Sequence, residues 1–205
     1  MQNKLRNAEN MLRRNDPVMA RLIERHGPCT LFADNSLIRM PRFHVLAWAI
    51  INQQLSVKSA RSIELKLLAL QPGDNFDHRC INRLDDKLLA TCGLSRQKIR
   101  YLHSLCDAVE TGLLNLAEFD RMENHVIAEL LQKLPGIGPW TVDIFLMFSL
   151  ARLDVLPLGD LALRNAFARH YPLPVRPTTA DYHAIAEPWR PYRTISSWYL
   201  WASVD

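Results

Sequence analysis

Apolar residues recur every three or four positions along most of this chain, and that periodicity restricts the possible folds more than any other feature. In one segment Phe43, Leu46, Ile50 and Ile51 form an apolar stripe, which ends at the polar residue Gln53. This spacing places the stripe on one face of a helix. No segment of the sequence alternates apolar and polar residues over the length of a strand. The sequence therefore predicts an all-α fold of roughly ten helices.

Capping residues and glycines mark where several of these helices begin and end. Asp16 is an expected N-cap, Pro17 occupies the first helical position, and Gly27 and Pro28 end that helix. The remaining helices are predicted near residues 43–51, 56–70, 95–109, 123–133, 139–150, 161–170, 181–187 and 191–202.

Length and charge limit the class of protein. A chain of 205 residues that is 48% hydrophobic is long enough for one substantial core, so one compact body is expected. The net charge of +4 suits a polyanionic partner without proving one. Residues 1–15 lack the apolar core of a signal peptide, and no run of about 20 apolar residues could span a bilayer. We expect a soluble, intracellular protein.

Cysteine and histidine spacing indicates neither a zinc site nor a disulfide framework, because no C-x-x-C pair occurs and the histidines are scattered. Reduced, buried thiols in a cytosolic protein are the simplest interpretation. The four cysteines are Cys29, Cys80, Cys92 and Cys106.

The segment LPGIGPW, residues 134–140, joins two predicted helices through a turn that contains two glycines. Gly136 and Gly138 allow positive φ and have no Cβ, so another molecule can approach the main chain closely. Pro139 begins the next helix, whose positive dipole end lies beside the turn amides. Such a turn is typical of a phosphate site. The alternative is a tight helix connection that merely needs glycine.

Asp160 precedes another predicted helix, and its ordinary role would be that of an N-cap. A carboxylate that accepts hydrogen bonds from helix amides is also held ionised and oriented. Such a carboxylate suits a reaction that passes through a cationic transition state.

Six segments in this order resemble the helix-hairpin-helix superfamily of DNA glycosylases, and within it the 3-methyladenine DNA glycosylase II group. They are DPVMARLIERHGP, INQQLS, GLSRQKIRYL, LPGIGPWTVDIFLMF, LPLGDLALRNAF and WRPYRTISSWYLW, which together extend over residues 16–202. The resemblance implies one glycosylase domain over residues 1–205, formed by two helical subdomains that share a DNA cleft, with the hairpin at about residues 123–150. Longer members carry an additional N-terminal α/β domain, so this chain is similar to the short, purely helical members.

The resemblance also implies roles for the hairpin and the aspartate. Gly136, Ile137 and Gly138 match the turn whose amides hold a DNA phosphate. A sodium or potassium ion is expected among the hairpin carbonyls, with Leu134 and Ile137 as its candidate ligands. Asp160 matches the essential aspartate, which would stabilise positive charge on the sugar or orient the attacking water.

Enzymes of this family rotate a damaged nucleotide out of the duplex and fill the gap with a side chain. Gln54 matches that inserting position, and Gln53 precedes it; both could equally be surface glutamines. Trp140 and Trp201 match aromatic positions that would stack on a cationic purine, or they could be core tryptophans. Ile144 stands where some relatives carry a tyrosine, so the base preference could differ from theirs.

Trp140 also bears on the type of chemistry, because members that cut the DNA backbone carry a lysine there. We therefore predict base removal without strand cleavage. Lys133, seven positions earlier, falls at the end of the preceding helix. The sequence has no set of four cysteines near the C-terminus that would indicate an iron–sulfur cluster, and we expect that no cofactor is required. The expected contacts to the DNA backbone, each of which could also be a solvated helix face, are Arg96, Lys98, Arg190 and Arg193.

The resemblance thus implies a monofunctional DNA glycosylase that removes alkylated purines of the 3-methyladenine and 7-methylguanine type in base excision repair. Its partner would be double-stranded DNA with a damaged base. We expect a cytoplasmic, nucleoid-associated monomer. Two alternatives remain: a non-catalytic DNA-binding or damage-recognition module of the same fold, and a glycosylase for an oxidised or deaminated base or for a mismatched pyrimidine.

Overall fold

Every regular element is a helix within residues 2–32 and 36–204, the part of the chain that this computed structural model describes. The all-α prediction is confirmed, with more helices than the ten expected. The α-helices are α1 (Gln2–Asn15), α2 (Pro17–His26), α3 (Arg42–Asn52), α4 (Val57–Leu68), α5 (His78–Asn82), α6 (Asp86–Thr91), α7 (Arg96–Glu110), α8 (Asn124–Leu131), α9 (Pro139–Phe148), α10 (Leu161–His170), α11 (Thr179–Ala186) and α12 (Arg193–Ala202). Three short 3₁₀ helices cover Ser36–Arg39, Leu116–Arg121 and Glu187–Trp189.

The predicted capping signals lie where the helices begin and end. Asp16 accepts hydrogen bonds through Oδ1 from the amides of Val18 (2.7 Å) and Met19 (3.0 Å), and Gly27 ends α2 with a φ of +73°. An N-cap side chain satisfies amides that have no partner inside the helix. These boundaries follow from local chemistry, which is why the sequence predicts them.

Three α-helices were not predicted. In α1 only Ala8 and Leu12 are buried hydrophobic residues, so its apolar stripe is too sparse to stand out in a segment full of charges. Helices α5 and α6 have five and six residues, capped by Asp77 and Asp85. Elements this short show no periodicity to detect.

The helices form two compact units. The terminal unit comprises Met1–Ile38 and Leu146–Asp205, and the central unit comprises Arg39–Phe145. The expectation of a shared DNA cleft stays a prediction. None of the described helices is both long enough and apolar enough to cross a membrane.

The core of the terminal unit is rich in large aromatic side chains. Phe167, Tyr199 and Trp189 are fully buried. The buried carboxylate of Asp16 accepts hydrogen bonds from Trp189 Nε1 (2.7 Å) and Tyr171 Oη (2.9 Å), so its polar atoms are satisfied inside the core. This packing fixes the start of α10, which Asp160 caps, and α12, which carries Trp201 and Arg193.

The core of the central unit forms around α3, which packs against both α4 and α7. Nearly all of α3 is buried, and Leu102 and Leu105 of α7 are buried with it. The end of α3 therefore lies within reach of the first turns of α7.

The four cysteines of the chain carry free thiols, and burial raises the pKa of Cys29 and of Cys106 to about 12.

Candidate active site

The turn between α8 and α9 is closed by its own backbone. The Leu134 amide donates to the Leu131 carbonyl (3.0 Å), and the Ile137 amide donates to the Leu134 carbonyl (3.2 Å). The side chains of Leu134 and Ile137 are buried and anchor the turn in the core of the central unit. The helix-hairpin-helix geometry expected for residues 123–150 is present in this segment.

The two glycines of the hairpin differ from one another. Gly136 has a φ of +85°, and a Cβ atom placed on it would lie 2.2 Å from Cδ2 of Tyr101. Gly138 does not adopt positive φ. The expectation that both glycines use positive φ is therefore confirmed for Gly136 and wrong for Gly138. A Cβ on Gly138 would meet open space. Gly136 is therefore required by the protein's own packing, whereas Gly138 leaves its main chain accessible.

The amides of the hairpin are not equivalent either. Because the Ile137 amide already donates to Leu134, it is not available to an anion. In residues 2–32 and 36–204 no acceptor is paired with the amides of Gly136 and Gly138. The expected phosphate site thus narrows to two amides beside the first turn of α9. The cation ligands Leu134 and Ile137 stay a prediction.

Residues Asn52–Leu55, at the C-terminal end of α3, form a type II β-turn. Gln53 has φ −53° and ψ 128°, Gln54 has φ +55°, and the Leu55 amide donates to the Asn52 carbonyl at 3.3 Å. The third position of a type II turn normally belongs to glycine. Gln54 occupies it with its side chain exposed. This backbone conformation is unfavourable for glutamine and must be held by neighbouring groups.

The two glutamines of this turn have different surroundings, which the sequence did not distinguish. Gln53 donates through Nε2 to the Gly136 carbonyl (2.7 Å) and to Thr141 Oγ1 (3.4 Å). Its side chain thus binds the hairpin, while Gln54 is the glutamine exposed to solvent. The role of Gln54 as the inserting side chain stays a prediction.

Arg96 and Lys98 lie in the first turn of α7, and their surroundings differ. The Lys98 amine lies 2.6 Å from the Ile51 carbonyl and 2.7 Å from the Gln53 carbonyl. Burial lowers the pKa of this amine. Lys98 therefore has two internal carbonyl partners that were not predicted, and its contact with a phosphate stays a prediction. Arg96 is exposed, as a contact to the DNA backbone requires.

Asp160 is the N-cap of α10. Its Oδ1 accepts a hydrogen bond from the Leu163 amide (2.9 Å) and another from Trp201 Nε1 (3.0 Å). The half-buried Trp201 ring stacks on Phe148, with ring centroids 6.3 Å apart and planes 20° apart. Two donors from different helices therefore orient one carboxylate, and the donor role of Trp201 was not predicted.

Trp140 and Ile144 lie four residues apart on α9 and so share one face of that helix. Trp140 is half-buried, in the first turn of the helix, while Ile144 is buried. Their roles in binding a base, and that of Trp201, stay predictions. Lys133 is exposed beyond the end of α8, as expected.

Arg190 and Arg193 share one acidic partner, which sequence reasoning missed. Arg193 Nε lies 2.6 Å from Asp154 Oδ1, and Arg190 donates to Asp154 Oδ2 at 2.9 Å. Arg190 also pairs with Glu187 at 3.0 Å. Because Arg193 is buried, its guanidinium mainly holds the segment before α10 against the start of α12. Both arginines therefore have a structural pairing that was not predicted, and their contacts with the DNA backbone stay predictions.

The hairpin and the capped aspartate agree with the family that sequence comparison finds for this chain. The chain belongs to the HhH-GPD superfamily of base excision DNA repair proteins, whose sequence model matches residues 47–191. The resemblance inferred from the six motifs is confirmed.

Individual relatives cover most of the chain. It is 34% identical to DNA-3-methyladenine glycosylase 1 of Schizosaccharomyces pombe, over 82% of this chain and 75% of that protein. It is 30% identical to the alkylbase DNA glycosidase-like protein mag2 of the same organism, over 95% of this chain and 91% of that protein. The structure of the S. pombe 3-methyladenine DNA glycosylase Mag1 in complex with abasic DNA matches with a TM-score of 0.85, at 32% identity and 96% coverage of both chains.

Proposed function

We propose that this protein is a monofunctional DNA glycosylase that hydrolyses the N-glycosidic bond of alkylated purines in double-stranded DNA. The single observation that carries the proposal is the orientation of the Asp160 carboxylate by the Leu163 amide and the Trp201 indole. The names of the relatives, which include 3-methyladenine glycosylases, support the choice of an alkylated purine as the substrate.

The proposed reaction replaces the base by water. As the bond between C1′ and the base nitrogen breaks, its electron pair leaves with the base and positive charge develops on the sugar. Asp160 stabilises that charge or orients the water, whose oxygen forms the new bond to C1′ and whose proton is released. A purine alkylated on a ring nitrogen is already cationic and departs neutral, so it requires little help from a general acid.

Binding would use other parts of the chain. The Gly136 and Gly138 amides, beside the first turn of α9, hold a phosphate of the DNA backbone, and exposed Arg96 contacts another. Gln54 enters the stack as the damaged nucleotide turns out of the duplex. Trp140 offers its ring to the extruded base.

Trp140 supports base removal without strand cleavage. The indole has no amine that could attack C1′ and form the Schiff base of a lyase. We further propose that the protein acts as a monomer at the nucleoid, without a required cofactor. A sodium or potassium ion in the hairpin is part of the same proposal.

The test uses duplexes that each carry one defined lesion: 7-methylguanine, ethenoadenine, hypoxanthine or 8-oxoguanine. Wild type and Asp160→Asn are incubated with each duplex, and the samples are divided into portions with and without hot alkali. Asparagine is as good an N-cap as aspartate and keeps an acceptor for Trp201, so this variant retains the site geometry. We expect strand breaks only with wild type, only on alkylated purines and only after alkali.

Three other outcomes would replace the proposal. Breaks without alkali would show lyase activity. Release of 8-oxoguanine in preference to the alkylated bases would favour the glycosylase for oxidised bases. Binding of all four duplexes with no base release would indicate a recognition module without catalysis.

A further inference from the structure

The turn that carries Gln54 needs an external support. A type I turn and a type II turn differ by a flip of their central peptide, which here joins Gln53 to Gln54. In the type I form Gln54 would have negative φ, which a side chain other than glycine prefers. The observed φ of +55° is therefore the less favourable of the two conformations for this residue.

The Lys98 amine holds the oxygen atom that such a flip would move. Lys98 Nζ lies 2.7 Å from the Gln53 carbonyl oxygen, which belongs to that central peptide. Its second contact, 2.6 Å to the Ile51 carbonyl, lies in the last turn of α3. Carbonyl groups at a helix C-terminus favour a cation, so the Lys98 amine stays in place when the Gln54 turn contacts DNA. Flipping the peptide would remove one of these hydrogen bonds.

The same helix also supports the hairpin. Tyr101 follows Lys98 by one turn on α7, and its ring fills the space beside Gly136. The Gly136 carbonyl accepts a hydrogen bond from Gln53 Nε2 at 2.7 Å. Within the central unit the Gln54 turn thus contacts the hairpin through Gln53. Helix α7 contacts the turn through Lys98 and the hairpin through Tyr101.

We propose that Lys98 is a positioning residue that keeps the Gln54 turn in the conformation required for insertion into DNA, with Gln53 linking that turn to the hairpin. This inference rests on the proposed function, which makes Gln54 the inserting side chain. In this role Lys98 touches neither the base nor the sugar.

A positioning role and a phosphate contact predict different measurements. A lysine that neutralises one phosphate contributes about 0.9 to the slope of log affinity against log salt concentration. A lysine that holds a turn contributes nothing to that slope. Its loss instead lowers the rate of base removal from DNA that is already bound.

The experiment compares Lys98→Met with Lys87→Met, a matched control at an exposed position of α6. Affinity for undamaged duplex is measured over a range of salt concentrations. Base release from a duplex with one alkylated purine is measured in single turnover at saturating enzyme. Unstacking is measured in the Asp160→Asn background, from the fluorescence of 2-aminopurine beside the lesion.

We expect Lys98→Met to lower the single-turnover rate at least about tenfold and to lower the 2-aminopurine signal, with affinity for undamaged DNA and its salt slope unchanged. Lys87→Met should match wild type in every measurement. A salt slope reduced by about one, with an unchanged single-turnover rate, would instead make Lys98 a phosphate contact. A variant that matches wild type throughout would show that the turn needs no amine.

Two further results separate the possible failures. If Lys98→Met does not fold, the double variant Gln54→Gly/Lys98→Met replaces it, since glycine adopts positive φ unaided. Folding of the double variant would support the proposal, and its failure to fold would overturn it. If wild type releases no base but Lys98→Met still loses the 2-aminopurine signal, the positioning role stands and the glycosylase function fails.

Discussion

Asp160 and the Gln54 turn are both candidate parts of the site, but they are held in different ways. Asp160 caps the helix that it begins, through an amide three residues away in the sequence. The Gln54 turn depends on Lys98, and Gln53 reaches 83 residues along the sequence to the Gly136 carbonyl. The proposed catalytic carboxylate is thus oriented by a local helix cap together with the indole of Trp201, whereas the contacts that hold the proposed inserting turn come from residues of the central unit that are distant in the sequence. Substitutions at the two places should therefore differ in what they disturb.

The largest effect is expected for Gly136→Ala. The new Cβ would have to displace the Tyr101 ring at a backbone φ that alanine disfavours, so we expect a loss of about 3 kcal/mol in the free energy of unfolding. Gly138→Ala is the control: its Cβ meets open space and its φ is not positive, and we expect a change within about 0.5 kcal/mol. Urea unfolding measures both values. Equal losses would mean that the hairpin is not held by α7.

Trp201→Phe tests the support that Asp160 receives from outside its own helix. The change removes the indole N–H that donates to Oδ1 while keeping an aromatic ring to stack on Phe148. A hydrogen bond to a charged group contributes about 1.5–3 kcal/mol, so we expect the single-turnover rate to fall about 10- to 100-fold. Trp198→Phe on the same helix is the control and should leave the rate unchanged. If Trp201→Phe is fully active, the local cap alone orients the carboxylate.

Asp143 provides a test that depends on pH within the central unit. Burial in α9 raises the pKa of this carboxyl from 3.8 to about 7. The folded protein binds this proton more tightly than the unfolded chain. Below pH 3.8 the Asp143 carboxyl is protonated in both states and does not lower the free energy of unfolding. As the pH rises from 3.8 to about 7, the free energy of unfolding decreases, because the unfolded chain releases the proton more easily. Asp143→Asn should therefore raise the free energy of unfolding at pH 8 by about 1–2 kcal/mol, reduced for partial exposure, and by little at pH 4. Urea unfolding at several pH values would contradict this if the gain were the same at pH 4 and pH 8.

The smallest effect is expected at Gln54, where two substitutions should have opposite signs. Gln54→Gly relieves the positive φ but adds freedom to the unfolded chain, so we expect a net gain of about 0.5 kcal/mol in the free energy of unfolding. Gln54→Val places a β-branched residue at the same φ and should cost about 1 kcal/mol. Thermal unfolding measures both. Losses of equal size would show that the turn is not strained by its side chain.

Several features of the fold could be predicted because their cause is local. The caps Asp16 and Asp160 satisfy amides within the next three residues, so a short stretch of sequence contains the whole interaction. Helices α5 and α6 escaped prediction since five or six residues show no periodicity. Helix α1 escaped since its apolar stripe contains few residues.

The partners of the charged side chains could not be predicted in the same way. Lys98 binds the Gln53 carbonyl, and Arg190 and Arg193 bind the Asp154 carboxylate; none of these partners was predicted. A positive charge is attracted to any nearby anion or carbonyl, and the sequence does not show which of these the fold brings within 3 Å.

The sequence by itself determined the all-α class, the hairpin and the cap of α10, because periodicity and capping depend on neighbours along the chain. It also supplied Trp140, on which the proposal of base removal without strand cleavage rests. Only the tertiary structure decided that Gly136 is required by the Tyr101 ring, that Gln53 binds the hairpin, and that Lys98 supports the Gln54 turn. These contacts join residues that are distant in the sequence, and only the packing of the helices brings them together.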